Sequence, residues 1–249
     1  MKRLLVVLAA LLLLVSPALA YETPVVLKGV AADGKPAANA DYSVYAVSTG
    51  KLVKSGKLND TGVATFNLTD STTYIFMFKT SNYTAMTKFA IPTITDPANQ
   101  TPVYVTINAS SMYKLSINSK PVSVTAKLTP VDTNFTYSVP TNYTIYTLLT
   151  CNVTYPNETQ SGFSMYKLKN ISVGNTNYNN TTTVKVTMAG NTVVTATYEK
   201  VPFMISPIMA IGVIGLIGAC IVAAAYFRKK TTKAALRALE ERGRYFRKF

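Results

Sequence analysis

Twelve asparagines in this chain stand two places before a serine or threonine, with no proline between them: Asn59, Asn67, Asn82, Asn99, Asn108, Asn134, Asn142, Asn152, Asn157, Asn170, Asn179 and Asn180. In that frame the side-chain amide nitrogen is an acceptor for N-linked glycans, a modification of exported chains at positions that water reaches. Given the serine and threonine content, about four such frames would arise by accident. The excess predicts a secreted surface that carries N-linked glycans.

Other chemistry is sparse. The chain has no histidine and no tryptophan, so histidine-based triads and histidine metal sites are excluded. Nine carboxylates lie between residues 21 and 227, and no pair recurs at a spacing that suits general acid and base work. Asp33 and Asp60 sit beside turn glycines and read as turn formers; a calcium site would need several converging carboxylates. No enzyme activity, cofactor or metal site is expected.

The elements that must present the acceptors are β-strands, because short alternating runs of Val, Thr, Tyr and Ile are separated by turn residues. Strand parity then sorts the faces. Val103, Val105 and Ile107 oppose Asn108; Ala64, Phe66 and Leu68 oppose Asn67; Phe135, Tyr137 and Val139 oppose Asn134. In the stretch CNVTYPNET, Cys151 shares a parity with Leu149, Val153 and Tyr155, and Asn152 takes the other. The thiol is expected inward and the sugar outward, with Cys151 acting as a small buried hydrophobe. Asn170 does not fit, since both faces of FSMYKLKNIS are mixed. The sixteen tyrosines read as half-buried strand residues rather than a carbohydrate platform.

Expected strands are 24–30, 41–48, 51–57, 62–68, 73–79, 85–90 and 103–108, then 113–117, 122–128, 134–139, 143–155 and 163–172. A hairpin of TTVKVTM and TVVTATYE around Ala189-Gly190-Asn191 closes the series, and the polar run NTNYNNTTT, 175–183, is expected to be a loop. Asp33-Gly34, Thr49-Gly50 and Thr61-Gly62 mark tight turns. The fold class is an all-β exterior of two tandem β-sandwich modules, 21–110 and 111–200.

The ends are of another kind. Residues 1–20, MKRLLVVLAALLLLVSPALA, join a basic start, an apolar run and small residues at Ala18 and Ala20, a signal peptide to be cut before Tyr21. Residues 202–227 carry no charge, and a helix of that length runs about 39 Å, against about 30 Å for a hydrocarbon layer. This predicts a transmembrane helix within 201–227. Gly215, Ala219 and Ala223 form a stripe of small residues on it, a face for homo-oligomer contact. In the tail, 228–249, nine Lys/Arg face two Glu, so the tail should stay in the cytoplasm. Thr232 is placed to cap a short amphipathic helix that brings Leu236, Leu239, Gly243 and Phe246 near one face.

The formal charge of +14 therefore lies largely in the ends. Every arginine falls in the signal or the tail, so the exterior offers no guanidinium fork, and no nucleic acid is expected to bind there. The expected location is the cell membrane, N-terminal body outside.

Residues 25–92, with Gly29-x-x-x-Asp33-Gly34-Lys35-Pro36-x-x-x-Ala40, an alternating VYAV, a TGK turn and NDTGVATFNL, resemble the transthyretin-like, carboxypeptidase regulatory-like β-sandwich family. The resemblance implies a stabilising or adhesive module without an active site. Residues 160–199 resemble the divergent internalin B-repeat family, with Tyr166 where that family has tryptophan.

Three functions fit this reading. The first is a single-pass, glycosylated surface protein serving as stalk, scaffold or adhesion module. Dense acceptors without disulfides suit an archaeal cell surface, with surface-layer proteins as partners. The second is an accessory subunit of a membrane complex for translocation, glycosylation or transport, docked through the helix and tail. The third is an archaeal virus envelope glycoprotein.

Overall fold

A computed structural model describes residues 21–96, 100–162 and 164–202 and a helix from 207 to 246; side chains are described outside 203–217, 235, 236, 238 and 241–249. The expected signal segment and Asn99 lie outside the described residues; of Gly215, Leu236, Gly243 and Phe246 only the helical backbone is described.

The first seven strands are β1 (Glu22–Val30), β2 (Asp41–Ala46), β3 (Leu52–Lys57), β4 (Val63–Thr69), β5 (Thr73–Lys79), β6 (Tyr83–Ala90) and β7 (Val103–Asn108). A 3₁₀ turn, Ala109–Ser111, leads to β8 (Tyr113–Lys120), β9 (Thr125–Pro130), β10 (Tyr137–Pro140), β11 (Tyr143–Thr147) and β12 (Cys151–Thr154). β13 (Glu158–Ser161), β14 (Ser164–Val173), β15 (Thr176–Asn179), β16 (Thr183–Val186) and β17 (Thr192–Val201) complete the body. All lie in one compact unit that ends at Val201, and the helix α1 (Pro207–Phe246) lies in a second unit that begins at Pro202.

The strands build three sheets. One long sheet runs β13-β14-β17-β8-β11-β6-β5-β2-β3, with β15 paired to β14. A three-stranded sheet, β4-β1-β7, and a four-stranded sheet, β10-β9-β12-β16, complete the set. The expected boundary at 110/111 falls in the 3₁₀ turn, yet the long sheet continues across it. β6 from the first half pairs in parallel with β11 from the second, Thr144 opposite Tyr83 and Tyr146 opposite Ala85.

Two cores result, and β5 belongs to both. Tyr74, Phe76 and Phe78 pack with Val25, Leu27, Leu68, Val105 and Ile107 of the three-stranded sheet. Ile75 and Met77, on the alternate parity, pack with Ala126, Leu128, Val139, Cys151, Val153, Val184 and Val186 of the four-stranded sheet. Period-two alternation makes this possible: a strand buried on both faces needs an unbroken apolar run, and YIFMF supplies five such residues. Burying a side chain such as Phe76 contributes about 1.5–3 kcal/mol. Tyr42 stacks on Phe66 at 5.2 Å, and Tyr45 meets Phe135 at 4.5 Å, so β2 also serves both cores.

Four expectations are corrected. The stretch 182–199 is no hairpin: β16 pairs with β12, whereas β17 pairs with β14 and β8. Both strands turn alternate apolar residues into one core, Val184 and Val186 from one sheet, Val194, Ala196 and Tyr198 from the other, so the turn between them changes sheets. The run 143–155 divides into β11 and β12 at Leu148, again because the chain changes sheets. Part of the polar stretch 175–183 is strand: β15 pairs with β14, Val173 opposite Thr176, through a turn at Gly174. Its four residues are all exposed, so backbone pairing holds it without any core signal.

The fourth concerns the tail. α1 is one uninterrupted helix of 40 residues, with no new start at Thr232. The hydroxyl of Thr231 donates to the carbonyls of Phe227 and Arg228, and that of Thr232 donates to Arg228. Threonines bonded back one turn continue a helix; an N-cap would accept from N–H groups ahead of it. Among the described residues no helix is long and apolar enough to cross a membrane. Ala219 and Ala223 are exposed along α1.

Candidate glycan-acceptor surface

Eleven of the twelve acceptor asparagines fall among the described residues, and none of them is buried. Asn59, Asn67, Asn82, Asn134, Asn142, Asn157, Asn179 and Asn180 are exposed; Asn108, Asn152 and Asn170 are half-buried. Strand parity accounts for this at the core-forming strands. Cys151 and Val153 are fully buried on β12 while Asn152 between them reaches solvent.

At Asn59 and Asn108 the local chemistry separates the two ends of the amide. At Asn59 all three bonds fall on Oδ1, which accepts from the Thr61 N–H at 3.0 Å, the Thr61 hydroxyl at 2.8 Å and the Val63 N–H at 2.8 Å. At Asn108, Oδ1 accepts from the Ser110 N–H at 3.2 Å and the Ser110 hydroxyl at 2.7 Å, capping the 3₁₀ turn. In both, the hydroxyl of the acceptor frame is bonded to the asparagine carbonyl. The amide nitrogen, which would carry the sugar, takes no part.

Two sites differ. Nδ2 of Asn134 donates to the Ser48 carbonyl, and the Asn134 N–H donates to the Val47 carbonyl at 3.0 Å. Asn170 sits where the β14–β17 register shifts, with its Oδ1 buried and without a hydrogen-bond partner. Neither distinction is visible in the acceptor frame, which reads only three residues.

Several acceptors lie on strands with an unpaired edge. Asn67 is on β4 and Asn108 ends β7, the two outer strands of the three-stranded sheet, and Asn179 is on β15. β3, outermost in the long sheet, is exposed along its whole length and carries Lys54 and Lys57. Charge and bulk on edge strands oppose pairing with other chains.

The remaining candidate groups are structural in placement. Burial pushes the Cys151 thiol up to about 12, and its Sγ donates to the Leu149 carbonyl at 3.4 Å. Asp33 Oδ1 accepts from the Lys35 N–H two residues on, a turn contact, and Asp60 Oδ1 accepts from Asn39 Nδ2. Among the described residues no group of three or more His, Cys, Asp or Glu is placed to hold a metal ion. Tyr74, Tyr155 and Tyr198 are buried, and Tyr104 on β7 is 72 % exposed.

No protein-family model matches the chain, and no curated protein matches it. Similar solved structures include the shaft pilin SpaA from Lactobacillus rhamnosus GG, 13% identical, with 73% of this chain and 100% of that one covered at a TM-score of 0.28. The Bacillus anthracis TIE protein is 16% identical over 72% of this chain and 34% of its own, TM-score 0.28. The minor pilin GBS52 from Streptococcus agalactiae is 14% identical over 74% and 99%, TM-score 0.24.

Proposed function

We propose that this chain is a single-pass, N-glycosylated surface protein whose β body is a stiff spacer or adhesion module outside the cell. The observation that carries the reading is the coincidence of many acceptor frames with solvent-reached positions: none of the eleven described asparagines is buried. Export follows from the N-terminal pattern of residues 1–20, and anchoring from the uncharged run 202–227. The basic residues after it keep the tail inside.

The mechanism is mechanical. A sheet that continues from β3 to β13 lacks a flexible linker at the 110/111 boundary, so load or distance is transmitted through backbone hydrogen bonds rather than through a hinge. Sugars at Asn108 and Asn179 and lysines on β3 keep the open sheet edges from joining neighbouring chains. An archaeal cell surface, with a surface layer as neighbour, supplies the glycosylation and spares the disulfides.

A second reading, an accessory subunit of a membrane complex, draws support from α1. Its uninterrupted course carries a basic segment directly on from the apolar run, a form suited to docking on a partner helix or acidic surface. Digestion of intact cells with an added protease separates the two readings from a cytoplasmic one. Release of peptides from 21–201, with 228–249 protected, is expected; full protection of the body would contradict both. Replacing 202–249 by an unrelated anchor should leave function intact for a spacer and abolish it for a docked subunit.

A further inference from the structure

The first described residue is tied to a buried carboxylate. The Tyr21 N–H donates to Asp70 Oδ1 at 3.1 Å, and the Asp70 N–H returns a bond to the Tyr21 carbonyl at 2.8 Å. The pair lies one step beyond Glu22 opposite Thr69, the last rung of the β1–β4 ladder. The other oxygen, Oδ2, accepts from the Ile94 N–H at 3.1 Å. Asp70 is only 5 % exposed.

A buried carboxylate is costly unless a cation faces it. Among the described residues the ion pairs join Lys35 to Asp33, Lys57 to Asp41 and Lys169 to Glu199, and no lysine or arginine pairs with Asp70. Its visible partners are neutral backbone donors. Yet the sequence expects the signal segment to be cut immediately before Tyr21. With water as co-reactant and a signal peptidase as catalyst, the Ala20–Tyr21 amide bond breaks. Hydroxyl goes to the Ala20 carbonyl carbon and the proton to the Tyr21 nitrogen. At neutral pH that nitrogen becomes an ammonium, at the position already bonded to Asp70.

We infer that removal of the signal segment supplies the missing countercharge: the new α-ammonium of Tyr21 and the buried Asp70 form an ion pair that latches β1 and the segment around Ile94 to the body. Processing thus completes the fold as well as freeing it. An ammonium facing the carboxylate adds a charge–charge attraction to the hydrogen bond the neutral amide already makes, so the body is more stable after the cut than before it. The inference rests on the export reading given under the proposed function.

The test uses the full-length protein purified in detergent from its own membranes. N-terminal sequencing identifies the first residue, and Tyr21 is expected. An alanine inserted between Ala20 and Tyr21 keeps the Tyr21 N–H but moves the ammonium by about 3.5 Å. It should lower Tm by about 4 °C or more, and the same insertion in an Asp70→Asn background should cost nothing further. Should Asp70→Asn fail to fold, acylation of the α-amine at pH 7 gives a second reading. The native chain should react about tenfold more slowly than the alanine-extended one, as for an amine held protonated by about one pH unit. Equal Tm with and without the insertion, or equal acylation rates, in a chain that begins at Tyr21 would overturn the latch alone. A mature chain beginning elsewhere would overturn the processing site and the latch with it.

Discussion

Asn134 donates its side-chain amide to the carbonyl of Ser48, 86 positions earlier in the chain. Its backbone N–H bonds Val47 as well, so the loop before β10 is held against the β2–β3 turn. Asn134→Ala removes the donor to that carbonyl and should destabilise the protein by about 1–2 kcal/mol. Asn82, exposed on a turn, should tolerate alanine within about 0.5 kcal/mol. Urea denaturation of the two variants makes the comparison.

The same contact sets the demand on Gly50. Its φ is +67°, and a Cβ there would sit 2.3 Å from the Asn134 carbonyl oxygen. Both the left-handed backbone and the backbone neighbour resist a side chain, so Gly50→Ala should cost about 2 kcal/mol or more. Gly190 has open space around it, and Gly190→Ala should fall within about 0.5 kcal/mol. Equal midpoints for the two variants would contradict the packing described.

Cys151 predicts an alkaline limit. Burial pushes its thiol from the ordinary 9.0 up to about 12, and burial pushes Tyr198 from 10.0 up to about 12. Between those values the folded body keeps protons that the unfolded chain has released. Stability therefore falls as pH rises from about 9 towards 12 and is unaffected by these groups below about 8. In a Cys220→Ser background a thiol reagent at pH 8 should leave the native protein unmodified and label it in urea. Labelling without denaturant, or a reductant-sensitive dimer in that background, would contradict the buried thiol.

β5 predicts how the body comes apart. Phe76 and Met77 are adjacent in sequence and buried in different cores. Phe76→Ala should cost about 3–5 kcal/mol and Met77→Ala about 2–5 kcal/mol, and each should lower the stability of both halves. Calorimetry should record a single transition for the β body. Two transitions, with each substitution moving only one, would mean that the halves fold independently.

Much of this body was legible in the chain, and the failures share a cause. β5 and β7 have the bounds that alternation predicts, and the outward turn of Asn152 beside an inward Cys151 follows from period two alone. Double burial of β5 was hidden, because five apolar residues in a row do not say which sheets lie on either side. β13 and β15 carry no apolar alternation, so nothing marked them as strands. At 182–199 the alternation of both runs suits a hairpin, but a sandwich core lies between them. At the acceptor sites parity places Asn67, Asn108 and Asn152 off the buried face, but Asn134 and Asn170 are distinguished by contacts far away in sequence.

Glycopeptide mass spectrometry of the protein from its own membranes decides whether the exterior is glycosylated. Sugar is expected on the exposed acceptors whose amide nitrogen is free of the contacts described, Asn59, Asn82, Asn142 and Asn157 among them. Asn134, with its nitrogen engaged, and Asn170, half-buried at the register shift, should be recovered bare. Unmodified asparagine at all twelve positions would contradict a glycosylated exterior.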